Sequence, residues 1–227
     1  MAPRQCRIAC IIFDCDGVLV DSELIAARVA AECFTEAGMP IDAEELITRF
    51  AGVAGDRVTA QLAEQFGVMP DSGMTERRRH RIMAAFQNEL KAVENVDRVL
   101  PMLPQVKCVA SSSHPERLSL SLRITGLEKH FQKHIFSSTL VARGKPAPDL
   151  FLYAADKVGQ PSRHCLVVED SVYGIAAAKA AGMLAFGFVG GRHCTADSNE
   201  RLRAVGADAV FAGMAELPAL IETFQSS

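Results

Sequence analysis

The stretch IIFDCDGVLVDS, residues 11–22, decides the fold of this chain. An apolar run from Ile8 to Phe13 stops abruptly at Asp14. Such a run is typical of a strand that is buried on both faces of a parallel sheet. Because burying an unpaired carboxylate is costly, we expect Asp14 to lie where the strand emerges, at its carboxyl end. In open α/β sheets this edge is where ligands bind.

Two acids follow this strand at a spacing of two residues. Side chains alternate along an extended strand, so Asp14 and Asp16 are expected to point the same way and Cys15 the other way. Two carboxylates in one site suit a nucleophile with a proton donor, a metal site, or both. Asp and Gly are also common in turns after strands, so a plain loop start is the alternative interpretation of this segment alone.

Size and charge restrict the class of protein. The chain has 227 residues, a formal net charge of −3 and a pI of about 6.1, which does not favour nucleic-acid binding. The one basic run, residues 77–81, lies in a predicted helix and is interpreted as a solvated helix face. Seven irregularly spaced cysteines are typical of reduced thiols, and the amino terminus resembles neither a signal peptide nor a membrane span. We therefore expect a cytoplasmic protein, monomeric or weakly dimeric, with neither nucleic acid nor a membrane as its partner.

The periodicity of apolar residues changes near residue 95. Before that point the chain predicts helices over 21–38, 43–50, 56–66 and 75–93, without an alternating β-branched run. After it, apolar strands alternate with helices, which predicts a parallel sheet with helices on both faces. The predicted fold class is α/β, with a Rossmann-like core of residues 1–19 and 96–227 and an inserted all-helical cap domain of residues 20–95.

Polar side chains also stand at three later points where the predicted core strands and their loops end. If all the strands are parallel, these side chains share one edge of the sheet with the two aspartates. Crowded carboxylates repel one another and need a cation, and oxygen ligands with an open coordination sphere suit Mg²⁺. The further residues at this edge are Ser111, Lys145, Glu169 and Asp170.

The chemistry of this set is that of a phosphate site. A lysine would neutralise an anionic substrate and restrain the nucleophile. Ser111 and the backbone N–H groups that follow it, beginning at Ser112, stand at a predicted helix start and are good phosphate donors. A carboxylate nucleophile, Mg²⁺, a lysine and a hydroxyl together indicate phosphoryl transfer through an aspartyl-phosphate.

Four motifs occur in order along the chain: DCDGVLVDS at 14–22, CVAS at 108–111, KPAPD at 145–149 and VVEDS at 167–171. With them the chain resembles the phosphohydrolases of the haloacid dehalogenase superfamily that carry a helical cap after the first strand. Within that superfamily it is similar to the branch of sugar-phosphate phosphatases and β-phosphoglucomutases. The resemblance covers essentially the whole chain, and the second motif is the least specific of the four.

The resemblance implies a role for each group. Asp14 attacks phosphorus, carries the phosphoryl group and binds Mg²⁺ with one oxygen. Asp16 protonates the leaving alcohol and then deprotonates the attacking water, which requires a raised pKa at the outset, and its backbone carbonyl binds Mg²⁺. The remaining roles are metal ligation by Asp170, support of the metal by Glu169, and binding of the transferring phosphoryl group by Ser111 and Lys145.

Residues of the predicted cap help to distinguish a phosphatase from a phosphomutase. The mutase branch carries a histidine on its first cap helix, where this chain has Ala26, and basic residues around the glycine of its specificity loop. The matching stretch here, residues 51–55, has no charge. We therefore expect hydrolysis of a small phosphorylated sugar or sugar acid, with Arg49 and Gly52 as substrate-binding residues of the cap and a phosphomutase as the alternative.

Two other classes of protein use similar groups. A phosphoryl-accepting regulatory switch also places aspartates, a hydroxyl and a lysine at strand ends, but it needs the phosphoryl group to persist. Asp16 argues against a switch, because an acid/base two residues beyond the nucleophile promotes hydrolysis. An inactive binding module would be expected to lose one of the core groups, and none is lost.

Overall fold

A computed structural model describes residues 7–50, 53 and 55–226. Its centre is a six-stranded sheet in which every neighbouring pair of strands is parallel, in the order β3-β2-β1-β4-β5-β6. The strands are β1 Cys10–Phe13, β2 Val106–Ser111, β3 Ile135–Ser137, β4 Cys165–Glu169, β5 Leu184–Phe188 and β6 Ala209–Phe211. The predicted α/β fold class is confirmed.

The first strand lies in the middle of the sheet. All four of its residues are buried, as expected for an apolar run that is covered on both faces. Phe13 is level with Val109 of β2 and Val168 of β4. The carboxyl ends of these three strands therefore meet at one edge, and the N–H of Asp14 donates to the carbonyl of Val168 at 3.0 Å.

The helices of the described chain lie after β1, between the later strands and after β6. Four of them lie between β1 and residue 95: α1 Glu23–Glu36, α2 Ala43–Phe50, α3 Gly55–Phe66 and α4 Met74–Glu89. The later ones are α5 Val96–Val99, α6 Pro115–Ile124, α7 Asp149–Lys157, α8 Val172–Ala180, α9 Ser198–Ala204 and α10 Leu217–Ser226. Single 3₁₀ turns cover Leu100–Met102, Glu128–His130, Ser138–Leu140, Ser162–His164 and Met214–Glu216.

The buried apolar side chains form three clusters. Two of them cover the two faces of the sheet, and the first of these also includes Val29 of α1 and Phe86 of α4. The buried members of the third cluster all lie between residues 31 and 74, with Phe34 and Leu62 among the most buried. Helices α2 and α3 therefore pack around a core of their own, whereas α1 and α4 also pack against the sheet domain.

Two chain segments connect the block of four helices to the sheet, and they pair with each other. Val20 and Ala92 form an antiparallel bridge. The N–H of Asp21 donates to the carbonyl of Lys91 at 3.0 Å, and the N–H of Val93 donates to the carbonyl of Leu19 at 3.0 Å. We propose that this paired connection is the boundary between a cap of residues 20–95 and a core of residues 1–19 and 96–227.

Among the residues that the structure describes, none of the helices combines the length and the apolar content that a bilayer crossing requires. The cysteines in those ranges are Cys10, Cys15, Cys33, Cys108, Cys165 and Cys194, and all are free thiols.

Candidate active site

A cavity of about 1180 Å³ opens at the carboxyl edge of the sheet, between the sheet and helices α1–α4. Its lining includes every polar core residue that the sequence singles out: Asp14, Asp16, Ser111, Ser112, Lys145, Glu169 and Asp170. The structure therefore brings these residues together, as expected from their positions at the carboxyl ends of parallel strands (the strand-end rule). Their catalytic and metal-binding roles stay predictions, because they depend on the reaction and not on position alone.

Lys145 joins two of the carboxylates. Its ammonium Nζ lies 2.7 Å from Oδ1 of Asp14 and 2.5 Å from Oε1 of Glu169, and its side chain is only 6% exposed. The ammonium also lies 5.0 Å from the centre of the Phe151 ring, which walls it off from water. The buried ammonium of Lys145 can therefore hold an anionic group next to Asp14.

Burial and the neighbouring charges both act on the carboxyl group of Asp14. Burial raises the pKa of the Asp14 carboxyl well above its usual range; Lys145 opposes this, and the charges of Glu169, Asp170 and Asp16 raise the pKa further. Burial also raises the pKa of Asp170, although a hydrogen bond from His193 opposes the change. A further cation at this position would relieve the repulsion that remains.

The donor set fits a hard divalent cation. One carboxylate oxygen from each of Asp14, Glu169 and Asp170 lies within 4.8 Å of the other two. Oxygen-only donors of this kind suit Mg²⁺. Glu169 is itself held in place, because its Oε2 accepts hydrogen bonds from the backbone N–H and the hydroxyl of Ser171, at 2.8 and 2.9 Å.

Two glycines are needed for the carboxylates to occupy these positions. Gly17 has φ of +79°, and a Cβ there would lie 1.9 Å from Oδ2 of Asp170. At Gly174, in the first turn of α8, a Cβ would lie 1.9 Å from the carboxyl group of Glu169. Gly17, in the first motif, and Gly174, three residues after the fourth, therefore each make room for a carboxylate of the same site.

His193 is a member of the site that the sequence analysis missed. Its Nε2 lies 2.9 Å from Oδ2 of Asp170, and the side chain is 14% exposed. Burial lowers the pKa of His193, but the hydrogen bond to Asp170 outweighs it and raises the pKa to about 11, so the ring is a cation at neutral pH. The loop after β5 carries this residue, and applying the strand-end rule to that strand would have found it.

Asp16 is held differently from what the resemblance implies. Its Oδ1 accepts hydrogen bonds from Ser22 at 2.6 Å and Arg117 at 2.7 Å, and its Oδ2 accepts one from Ser113 at 2.5 Å. Burial alone would raise the pKa of Asp16, but the charge of Arg117 and these hydrogen bonds outweigh it and lower the pKa. The expectation of a raised pKa is therefore wrong for this arrangement.

Arg117 has no counterpart among the residues chosen from sequence. It lies on α6, its guanidinium stacks 4.9 Å from the centre of the Phe86 ring of α4, and its Nε is buried without a hydrogen-bond partner among the described residues. It stands six positions after Ser111, inside a helix, where no strand-end argument applies.

The hydroxyl groups at the end of β2 face the same cavity. Ser111 is buried, and its Oγ accepts a hydrogen bond from the N–H of Ser113 at 3.1 Å. Ser112 is exposed, and its carbonyl accepts a hydrogen bond from Ser138 at 3.1 Å. Both residues line the cavity, Ser111 at the end of β2 and Ser112 in the loop that precedes α6.

The structure does not place the cap residues chosen from the sequence at the cavity. Arg49 is absent from its lining; its guanidinium pairs with Glu45 and, at 2.8 Å, with Gln65. Gly52 lies outside the described residues. Arg78 lines the cavity instead, although the basic run 77–81 was interpreted as a solvated face. The position of Arg78 in the helix indicates that its side chain is buried, because the buried residues of α4 are four positions apart: Met74, Arg78, Ile82 and Phe86.

The arrangement defines a class of protein. A buried carboxylate at a central strand end, a lysine beside it, two further acids and the hydroxyl groups at the end of β2 line one cavity. The family model for haloacid dehalogenase-like hydrolases matches residues 8–182, and the chain belongs to this family.

Similar proteins have been named as phosphatases. The 6-phosphogluconate phosphatase of Escherichia coli (strain K12) is 32% identical over 188 residues, which cover 82% of this chain and 85% of that one. A phosphorylated carbohydrates phosphatase of Thermotoga maritima is 32% identical over 180 residues, covering 76% and 81% of the two chains. The present chain is a phosphoric monoester hydrolase.

Solved structures agree with this assignment. A haloacid dehalogenase-like protein from Agrobacterium tumefaciens str. C58 superposes with a TM-score of 0.86 at 38% identity, covering 95% of this chain and 98% of that one. A family hydrolase from Deinococcus radiodurans R1, crystallised with bound phosphate and sodium, gives a TM-score of 0.79 at 34% identity, covering 96% and 97%.

Proposed function

We propose that this protein is a Mg²⁺-dependent phosphatase that hydrolyses a small phosphorylated sugar or sugar acid through an aspartyl-phosphate intermediate. The observation that carries the proposal is the buried Asp14–Lys145–Glu169 contact at the edge of a large cavity. The names of the relatives from Escherichia coli and Thermotoga maritima support a sugar-derived substrate. The phosphate in the hydrolase from Deinococcus radiodurans supports an anion site in this fold.

In the first half of the reaction, one oxygen of Asp14 attacks phosphorus as the bond from phosphorus to the alcohol oxygen breaks. Oδ1 of Asp14 accepts a hydrogen bond from Lys145, and Oδ2 has no hydrogen bond to the described part of the chain, so we assign the attack to Oδ2. Asp16, released from Arg117 and protonated, gives its proton to the leaving alcohol. Lys145 and Ser111 hold the oxygens of the transferring group.

In the second half, Asp16 takes a proton from water, and the resulting oxygen attacks the phosphorus of the aspartyl-phosphate. Inorganic phosphate leaves and the carboxylate of Asp14 is restored. Mg²⁺, held by Asp14, Glu169 and Asp170, would neutralise charge on the phosphoryl oxygens. The backbone carbonyl of Asp16 stays a predicted ligand.

Replacing the nucleophile tests the proposal. Asp14→Asn is expected to lower kcat for phosphate release from 6-phosphogluconate by about 10⁴-fold or more. Asp156→Asn, at a side chain that is 80% exposed, is the control and should leave kcat unchanged. EDTA treatment should abolish hydrolysis by the unaltered protein, and Mg²⁺ should restore it. Full activity of Asp14→Asn, or of the EDTA-treated protein, would contradict the proposal.

The reaction product distinguishes hydrolysis from the phosphomutase alternative. Hydrolysis releases one inorganic phosphate for each sugar phosphate consumed, whereas a mutase returns the phosphoryl group to another hydroxyl of the sugar. Phosphate detection together with ³¹P NMR of the remaining ester measures both outcomes in one sample.

A further inference from the structure

Arg78 is a buried cation that lacks an anionic partner. Its relative exposure is 8%, and none of the described carboxylates lies within 4 Å of its guanidinium. Asp56 contributes a favourable charge at longer range but is itself exposed. Burying a charge without an opposite charge is costly, so the protein retains Arg78 at the expense of stability.

The guanidinium is held in one orientation. It stacks 5.0 Å from the centre of the Phe34 ring, and its Nη1 donates to the hydroxyl oxygen of Thr59 at 3.0 Å. That hydroxyl in turn donates to the carbonyl of Gly55 at 2.9 Å. A Cβ on Gly55 would lie 3.1 Å from Nη2 of Arg78, so the backbone at the start of α3 lies against the guanidinium.

Arg78 lines a space large enough for a ligand and has donors that remain without a described partner. Nη2 and Nε of Arg78 have no hydrogen bonds to the described part of the chain, and Arg78 lines the same 1180 Å³ cavity as Asp14 and Lys145. The cavity wall around it is apolar, with Phe34, Phe50, Val53 and Val58. The amino-terminal N–H groups of α3 add a partial positive charge at this end of the cavity.

The other cations that line this cavity are either engaged or solvated. Lys145, Arg117 and His193 pair with carboxylates of the candidate site, and Arg79 pairs with Glu76 and Glu116 at 2.6 and 2.8 Å. Arg201 lies 3.9 Å from Asp197, and Arg57 is exposed. One buried guanidinium matches one negative charge, as on a carboxylate, whereas a second phosphoryl dianion would call for two buried cations.

We propose that Arg78 binds a carboxylate of the substrate, so that the enzyme selects phosphorylated sugar acids over neutral sugar phosphates. This inference rests on the proposed function and names its substrate class. Arg78 and the hydroxyl groups at the end of β2 then bind the two anionic groups of one molecule in the same cavity. The length of the molecule then places its phosphoester beside Asp14.

Two esters that differ only at C1 test the inference. 6-Phosphogluconate and glucitol 6-phosphate have the same carbon chain and phosphoester, but only the first has a carboxylate. Arg78→Gln is expected to lower kcat/KM for 6-phosphogluconate by about 10- to 100-fold and to leave glucitol 6-phosphate nearly unchanged. Arg77→Gln is the matched control, since Arg77 is the adjacent residue, 61% exposed, and pairs with Asp71; it should change neither substrate.

A stability measurement separates binding from a structural role. Arg78→Met removes an uncompensated buried charge and keeps the length of the side chain, so we expect Tm to stay constant or to rise by about 2–4 °C. A clear fall in Tm together with equal losses for both esters would mean that Arg78 only supports the cap, and the inference would be overturned.

Binding to the inactive Asp14→Asn variant keeps this test independent of hydrolysis. Isothermal titration calorimetry should give tighter binding of 6-phosphogluconate than of glucitol 6-phosphate, and adding Arg78→Gln should remove the difference. If the unaltered protein hydrolyses neither ester, the proposed function fails, and the calorimetric preference still decides the role of Arg78. Equal affinity for the two esters, or no binding of either, would refute the carboxylate site.

Discussion

At the scale of single residues, the ion pair between Asp16 and Arg117 controls the group that is expected to move protons. Arg117 lowers the pKa of Asp16 and holds one of its oxygens, while Ser22 and Ser113 hold the carboxylate from other sides. The enzyme therefore keeps Asp16 ionised in this arrangement. We propose that donation of the leaving-group proton by Asp16 follows a rearrangement in which the contact to Arg117 is lost.

A double-mutant cycle measures this pair. Arg117→Met leaves Asp16 charged without its cation, and Asp16→Asn leaves Arg117 without its anion, so each single change should lower the free energy of unfolding. The side chains are 21% and 14% exposed, and we expect a coupling energy of about 1–3 kcal/mol. Urea unfolding of the four proteins gives the value. Additive losses would show that the two charges do not support each other.

At the scale of elements, helix α8 begins where Glu169 ends strand β4. Ser171 caps the helix by accepting a hydrogen bond from the N–H of Gly174 at 3.0 Å and also donates to Glu169. The same turn therefore starts the helix and positions a carboxylate of the predicted metal site. Few side chains are compatible with both tasks.

The substitution Gly174→Ala tests whether this turn must both start α8 and leave room for Glu169. In an ordinary helix the change would stabilise by up to about 1 kcal/mol. Here the new Cβ would lie 1.9 Å from the Glu169 carboxyl group, so we expect the free energy of unfolding to fall by about 2–4 kcal/mol and kcat to fall with it. Urea unfolding and phosphate release measure the two effects. Gly144→Ala is the control, because its Cβ would meet only Ser138 at 3.8 Å; a stabilised Gly174→Ala protein would contradict the argument.

The sequence predicted site residues at some secondary-structure elements and missed them at others. A run of apolar residues that stops at a carboxylate predicts both β1 and its functional end, so Asp14 and Glu169 were placed correctly at one edge. Arg117 lies within a helix, where no strand-end argument applies. His193 lies in the loop five residues after β5, a strand end to which the rule was not applied. Arg78 carried a signal, its position on the apolar face of α4, but charge alone suggested exposure. Helices α9 and α10 were missed, although Leu217 and Ile221 of α10 are buried one turn apart.

At the scale of the whole molecule, the site lies between parts of the protein that are stabilised by different cores. The nucleophile belongs to the sheet, where side chains on both faces are fully buried. Arg78 and its aromatic neighbour Phe34 belong to the helical block, whose third cluster is separate from the clusters of the sheet. If the proposed chemistry and substrate selection rest on different cores, we expect the third cluster to open without unfolding the sheet.

Hydrogen exchange with two leucine variants tests this separation. Leu62 of α3 and Leu166 of β4 are both fully buried, and truncation of either to alanine should cost about 2–5 kcal/mol. Leu62→Ala is expected to raise amide exchange in α2 and α3 while β1, β2 and β4 keep their protection, because the third cluster opens by itself. Leu166→Ala should raise exchange in the sheet and the helical block together, since the helices α1 and α4 pack on the sheet core. Equal loss of protection throughout the Leu62→Ala protein would mean that the chain unfolds as one unit, and the boundary at residues 20 and 95 would have no energetic basis.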